Sequence, residues 1–299
     1  MWVLLALSSA FFLGLYDIFK KSSLDNNNVL MVLGLTTLFC SLIFLPTIIL
    51  SHQGVIREGS LIYVNDGTLQ DHLHVLIKAG LVLSSWILSY YGLKYLPITI
   101  VGPINATRPV IVLIGALTVF GERLNIYQWI GVIIAIISFT LLSLSGRKEG
   151  IIFSRNRWIY CCIAGTILGA ISGLYDKWLL KDLSPMFVQS WFLLYQFIIM
   201  GIILLIMHKS QKEESSPFKW RWAILMIAIS LSIADFLYFY SLSIEDSMIS
   251  IVSMLRRCSV LVSFVFGAYM LKEKNIKDKA IDLALVILGL IFLLIGSLN

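Results

Sequence analysis

Arg108 and Arg257 are the residues in this chain whose surroundings most demand an explanation. Each lies about ten residues into a long apolar stretch, which at about 1.5 Å rise per helical residue is close to the midplane of a membrane span. A charge at that depth costs about 2.5–3.5 kcal/mol on insertion scales and usually marks function. A guanidinium fork matches the oxygens of a carboxylate or phosphate. Two of them converging on one cavity would hold a substrate with an anionic or oxygen-rich group. The alternative is an arginine neutralised by a protein carboxylate, with no substrate contact. Asn105 and Thr107 are further ligand candidates, because Pro103 and Pro109 bracket them, disturb the helix and expose backbone carbonyls. Trp86, Tyr91 and Tyr240 could stack on a planar or sugar-ring face, although packing or an interfacial belt explains most membrane-protein aromatics.

Asp235 lies about fifteen residues into its own apolar stretch, close enough to the midplane to meet an arginine. A carboxylate there can take a proton when a substrate displaces its partner, which would couple movement of the substrate to protons. A permanent Asp235–Arg257 pair is the structural alternative. Arg256 is expected to face elsewhere, since adjacent helical residues point about 100° apart. Two more carboxylates close a repeated tetrapeptide, Gly14-Leu15-Tyr16-Asp17 and Gly173-Leu174-Tyr175-Asp176. Both fall near an end of their stretch, with Lys20 one turn beyond Asp17 and Lys177 directly after Asp176. They are either interfacial charges that snorkel or gate elements. In the second reading Tyr16, Asp17 and Lys20 close one mouth, and Tyr175, Asp176 and Lys177 close the other.

The elements that must position these residues follow from composition. The chain has 299 residues, 59% hydrophobic and 13% charged, with a mean hydropathy of +0.90. That profile implies an all-α integral membrane protein. A span needs about 20 apolar residues, and ten such stretches are expected, near 2–21, 29–50, 75–94, 98–120, 127–145, 158–180, 186–207, 221–242, 248–271 and 279–298. The first has no basic residues before it, so it reads as a membrane helix rather than a cleaved signal. The net charge of +6 is not a nucleic-acid signal. It is distributed by side: fifteen of the 23 basic residues, from Lys20 and Lys21 to Lys277 and Lys279, follow odd-numbered stretches. The opposite side is expected to hold Arg57, Lys78, Arg123 and Lys181. Positive-inside bias then places odd-numbered loops in the cytoplasm and both termini outside, in what is expected to be a bacterial plasma (inner) membrane.

The tetrapeptide belongs to a longer repeat. At an offset of 159, Gly165, Gly169 and Gly173 match Ala6, Ala10 and Gly14, a small-residue stripe that permits close helix packing in lipid. At an offset of 149, Ser89-Tyr90-Tyr91 matches Tyr238-Phe239-Tyr240, Trp86 matches Asp235, and Arg108 matches Arg257. Glu122 meets Glu273 at 151. Five helices per repeat is an odd number, so the halves would enter the membrane from opposite sides, as in many secondary transporters. The expected organisation is a first repeat over 1–146, a basic cytoplasmic linker over 147–157 and a second repeat over 158–299.

The run "LKYLPITIVGPINATRPVIVLIGALTVFGERLNIYQWIGVIIAIISFTLL", with its second copy "VLVSFVFGAYMLKEKNIKDKAIDLALVILGLIFLL", resembles the drug/metabolite transporter superfamily, EamA-type carriers. The resemblance spans essentially the whole chain, and Gly121-Glu122-Arg123-Leu124 is its most specific motif. It implies ten transmembrane helices as two inverted five-helix repeats and a carrier for a small molecule. The family's usual orientation, with cytoplasmic termini, is the reverse of the charge bias. Glu122 and Glu273 are expected to act structurally at helix ends.

A membrane-embedded enzyme is the rival class, but neither HExxH nor GxSxG occurs. The four histidines, His52, His72, His74 and His208, are expected in loops, with "DHLH" at 71–74 as a solvated segment rather than a metal site. Cys40, Cys161, Cys162 and Cys258 form no CxxC and read as buried small hydrophobes. A passive channel is the other rival. No cofactor, metal or nucleic-acid partner is expected. The expected partners are a small-molecule substrate, protons and the bilayer, and ten helices can enclose a pathway as a monomer.

Overall fold

Apolar stretches in the sequence become helices wherever start and stop signals frame them. The computed structural model describes residues 1–96, 101, 104–105, 107–144, 156–209, 217–259, 261–262 and 276–298. These contain α1 (Trp2–Leu24), α2 (Val29–His52), α3 (Leu69–Tyr95), α4 (Arg108–Val119), α5 (Ile126–Leu144), α6 (Arg157–Leu179), α7 (Pro185–Lys209), α8 (Ala223–Ser243), α9 (Ile249–Arg257) and α10 (Ile276–Leu298). No strand occurs among the described residues. Pro103, Ala106, Glu273 and residues 147–155 of the linker lie outside them.

Caps explain several boundaries. The Asn28 side chain accepts from Met31 N at the head of α2, and the Asn156 side chain accepts from Trp158 N at the head of α6. Thr68 and Asp71 form a reciprocal capping box that starts α3. Helix α3 therefore begins inside the segment expected to be loop. All four histidines fall within helical ranges, which corrects their placement in loops. At the end of α4, Gly121 adopts φ +63°, and Glu122 N–H returns to Ala116 O at 3.2 Å. Glycine reaches that left-handed conformation without a Cβ penalty, so the Gly-Glu-Arg signature is also a helix stop.

Six helices, α1, α2, α3, α6, α7 and α8, are long and apolar enough to cross a membrane. Shorter apolar stretches run over Arg108–Val119, Ile126–Ser138 and Ile287–Gly296. Two expected spans differ from their sequence boundaries. The segment over 98–120 has its helix α4 beginning only at Arg108, and the segment over 248–271 has its helix α9 ending at Arg257.

Packing follows an exchange pattern. Helix α1 lies against α8, and its counterpart α6 lies against α3, the counterpart of α8. Helix α9 meets α1 as α4 meets α6, and α2 meets α8 as α7 meets α3. The other extensive contacts, α2 with α7, α4 with α9 and α5 with α10, join counterparts to each other. Each half therefore completes its core with helices of the other half.

Small residues make these approaches possible. A Cβ at Gly14 would sit 2.8 Å from Ser259 O, and one at Gly165 would sit 3.2 Å from Ser85 O. Between α5 and α10 the backbones nearly touch, since a Cβ at Gly131 would lie 2.9 Å from both Gly289 O and Leu293 N. Neither backbone atom can swing away as a side chain would. Gly131→Leu should therefore lower stability by about 1–3 kcal/mol through overpacking. Gly201→Ala, with no neighbour within 4 Å, should change it by no more than about 1 kcal/mol, in the stabilising direction. Thermal melts of detergent-solubilised protein compare the two; equal melting temperatures would contradict the backbone contact.

Candidate functional site

Both symmetry-related arginines stand beside a helix interruption. Thr107 occupies a turn, with its N–H and Oγ1 both donating to Ile104 O, and Arg108 then opens α4. Pro109 follows, a residue tolerated in a first turn because its missing N–H has no helical partner there. In the second half α9 stops at Arg257, and the Cys258 N–H closes onto the Leu255 and Arg256 carbonyls. The breaks flank residues matched by the offset of 149, before Arg108 in the first half and after Arg257 in the second. Arg108 and Arg257 are thus terminal residues of short helices rather than members of continuous spans.

Arg108 is half-buried, and its Nη2 donates to Gly169 O at 2.7 Å. The small-residue stripe of α6 makes room for it, because a Cβ at Gly169 would lie 3.0 Å from the guanidinium carbon. Arg257 is also half-buried and makes no hydrogen bond or ion pair among the described residues. It lies within electrostatic range of Arg108, Asp17 and Arg256, and Arg108 lies within range of Arg256, Asp176 and Asp235.

The carboxylates are each matched by one base. Asp235 accepts from Arg256 Nη2 at 2.8 Å, so the alternative of an Asp235–Arg257 pair is replaced by a pair with Arg256, and the expectation that Arg256 faces away is corrected. Asp176 is paired with Lys78 and also accepts from the Tyr238 hydroxyl at 3.2 Å. The Tyr238 ring in turn lies 4.0 Å beneath the Arg256 guanidinium. A continuous chain, Lys78–Asp176–Tyr238–Arg256–Asp235, therefore crosses from α3 through α6 and α8 to α9. Lys78 was expected in the loop-side charge count but is 1% exposed. Membrane burial without a partner would be untenable for it, and Asp176 supplies that partner.

The two copies of the tetrapeptide are dressed differently. Asp17 accepts from Lys20 at 2.8 Å, one turn along the same helix, and its side chain is 39% exposed; the Asp176 side chain is 7% exposed. Burial of Asp176 in an ion pair overturns its reading as a snorkelling interfacial charge. Tyr16 meets the Tyr90 hydroxyl at 3.2 Å, and Lys20 Nζ sits 4.4 Å from the Tyr16 ring centre. Tyr175 meets His74 Nδ1 at 3.1 Å and stacks on Trp178. Lys177 does not join the Asp176 cluster. Its Nζ donates to Leu242 O at 3.1 Å, Ser247 O at 2.8 Å and Ser247 Oγ at 2.7 Å, and so ties α6 to the end of α8.

Other candidates are placed as follows. Asn105 Oδ1 accepts from Thr166 Oγ1 at 3.1 Å. Trp86 is half-buried and packs between two apolar clusters. Tyr91 stacks with Tyr95 and Trp158. The Tyr240 hydroxyl donates to Leu61 O in the loop before α3 and borders a surface cavity of about 510 Å³ formed with Glu58, Tyr63 and Asp66. The contacts of Tyr91 and Tyr240 are thus with neighbours other than the arginines. No group of three metal-ligating side chains gathers among the described residues.

Sequence reasoning gave no site role to Lys78 and Arg256, and noted Tyr238 only as one of the aromatics around the charges. The available signal was a lone lysine within "HVLIKAGLVL", inside the boundaries expected for a span and therefore in need of a carboxylate. Glu122 has the structural role expected of it: it accepts from Ile249 N at 2.7 Å and Ser250 N at 3.2 Å, placing a carboxylate on the positive end of α9. Glu122→Ala should cost about 1 kcal/mol as a lost cap. Lys78→Met or Asp176→Asn alone should each cost about 3–5 kcal/mol by stranding a buried charge, and the double substitution less than their sum. A double-mutant cycle of thermal unfolding measures this; strict additivity would show the two side chains to be uncoupled.

The sequence matches the model of the EamA-like transporter family over residues 1–144 and again over 156–295. One protein of known crystal structure, 14% identical, shares the fold with a TM-score of 0.75, covering 99% of this chain and 97% of that chain. Comparison with curated proteins finds no match. With the family's model recurring in both halves, the chain belongs to the EamA-like transporter family, membrane transporters of the drug/metabolite transporter superfamily.

Proposed function

We propose that this integral membrane protein is a secondary carrier that moves a small polar, anionic metabolite by alternating access. In this reading ten spans form two inverted halves, 1–146 and 158–299, joined by the basic linker 147–157, and the monomer suffices. The observation that carries it is the pair of repeat-matched arginines beside helix interruptions, neither held by a carboxylate among the described residues. Inverted-repeat carriers place substrate sites at such discontinuities, near the membrane centre. A guanidinium there, without a protein counter-ion, is a strong anion ligand. The exchange pattern of packing supports two halves that rock against each other. By the positive-inside bias, odd-numbered loops are cytoplasmic, in a bacterial inner membrane.

The gates follow from the unequal tetrapeptides. Lys78–Asp176, with Tyr238, Tyr175 and His74 nearby, locks one mouth. Tyr16, Asp17 and Lys20 border the other, where the carboxylate is more open. Asp235 is the proton-coupling group: once protonated it releases Arg256, which then joins Arg108 and Arg257 in holding an anion. Asn105 and Thr107 lie beside this site and Trp86 lines its approach.

Reconstitution into liposomes tests these roles. Anion uptake should saturate and show counterflow. Asp235→Asn should keep exchange and lose accumulation driven by a proton gradient; unchanged accumulation would remove Asp235 from coupling. Cysteines at 17 and 176 should label reciprocally, with 17 the more reactive in the absence of substrate. Equal labelling of both under all conditions would end the gating assignment.

A further inference from the structure

The balance of charge in the interior narrows the substrate class, given the anion-carrier reading above. Three carboxylates, Asp17, Asp176 and Asp235, each hold one base, Lys20, Lys78 and Arg256 respectively. Those pairs cancel. Arg108 and Arg257 remain, with no carboxylate within ion-pair distance among the described residues, so the site carries a surplus of two positive charges. They are not independent. Each helix they belong to packs on the other, and Arg257 lies within electrostatic range of Arg108, so the two repel across a medium that screens poorly. Among the described residues the Arg108 guanidinium has the Gly169 carbonyl as its hydrogen-bond partner, which relieves desolvation in part but supplies no negative charge.

We infer that the occupant is a small dianion, either a short dicarboxylate or a phosphate monoester, bound between Arg108 and Arg257. A monoanion would leave one buried charge uncompensated and the repulsion half relieved. A dianion removes both costs at once. The symmetry adds a second reason. One arginine comes from each half, at positions matched by the offset of 149, so a ligand between them sits where the halves exchange. Rocking of one half against the other then leaves it one guanidinium from each side in both states. A carrier needs this balance, because a ligand that strongly favoured one state would hold the protein there.

Full-length protein in detergent, at fixed ionic strength above neutral pH, can be titrated with malonate, inorganic phosphate, acetate and tetramethylammonium while its melting temperature is followed. Malonate or phosphate should stabilise with an apparent Kd at least about tenfold below that of acetate. Arg108→Gln and Arg257→Gln should each bring the dianion down to the level of acetate. Arg108→Lys and Arg257→Lys, which keep the charge, should retain the preference for a dianion over acetate. The wild-type comparison stands even if a glutamine variant fails to fold. A preference for malonate alone assigns the dicarboxylate class, and for phosphate alone the phosphoryl class. Equal affinity for acetate and both dianions would overturn the dianion inference and leave the anion carrier intact. Stabilisation by tetramethylammonium alone, or by no anion, would overturn both.

Discussion

A charge inside a bilayer has no water to share its field, and the interior of this protein is arranged around that constraint. Every acidic side chain described there has acquired a base, each by a different route. Asp17 uses a lysine one turn along its own helix, Asp176 a lysine from α3, and Asp235 an arginine from α9. The second route crosses between halves and the third joins α8 to α9 within one half, so the packing of α3, α6, α8 and α9 is tied to a few ion pairs. Tyr238 makes that tie physical, touching Asp176 with its hydroxyl and Arg256 with its ring. Such pairs add little net stability over apolar packing, but removing one partner is costly.

Duplication supplies two copies of each element, and the differences between the copies carry the asymmetry. Trp86 occupies the position that Asp235 holds in the other half, and Ser89 the position of Tyr238. The chain from Lys78 to Asp235 therefore has no counterpart built from the matched positions. The identical tetrapeptides then meet unlike surroundings: Asp17 stays partly open and Asp176 is sealed.

The arginines owe their position to backbone as much as to side chain. Helix interruptions at Thr107 and Cys258 put Arg108 at a helix start and Arg257 at a helix end. The small-residue stripe of α6 is equally part of the site, since Gly169 both makes space for the Arg108 guanidinium and offers its carbonyl.

Sequence alone determined the class, the approximate position of the ten helices, the duplication and the membership of a transporter family, because hydropathy, small-residue stripes and matched tetrapeptides are local or periodic signals. It also singled out the charged residues worth attention. What it did not decide was who pairs with whom. Arg256 and Arg257 are adjacent in sequence, and only the end of α9 and its approach to α8 select the first for Asp235. Lys78 reads as a loop-side cation until α3 packs against α6 and brings Asp176 to it. Tyr91 and Tyr240 are matched in the repeat, yet stacking on Trp158 and a bond to the loop at Leu61 hold them among other neighbours. Pairing depends on distances between residues some twenty to a hundred positions apart, and nothing in local composition encodes those distances. Only the tertiary structure could leave Arg108 and Arg257, matched in the repeat, without an ion-pairing carboxylate among the described residues.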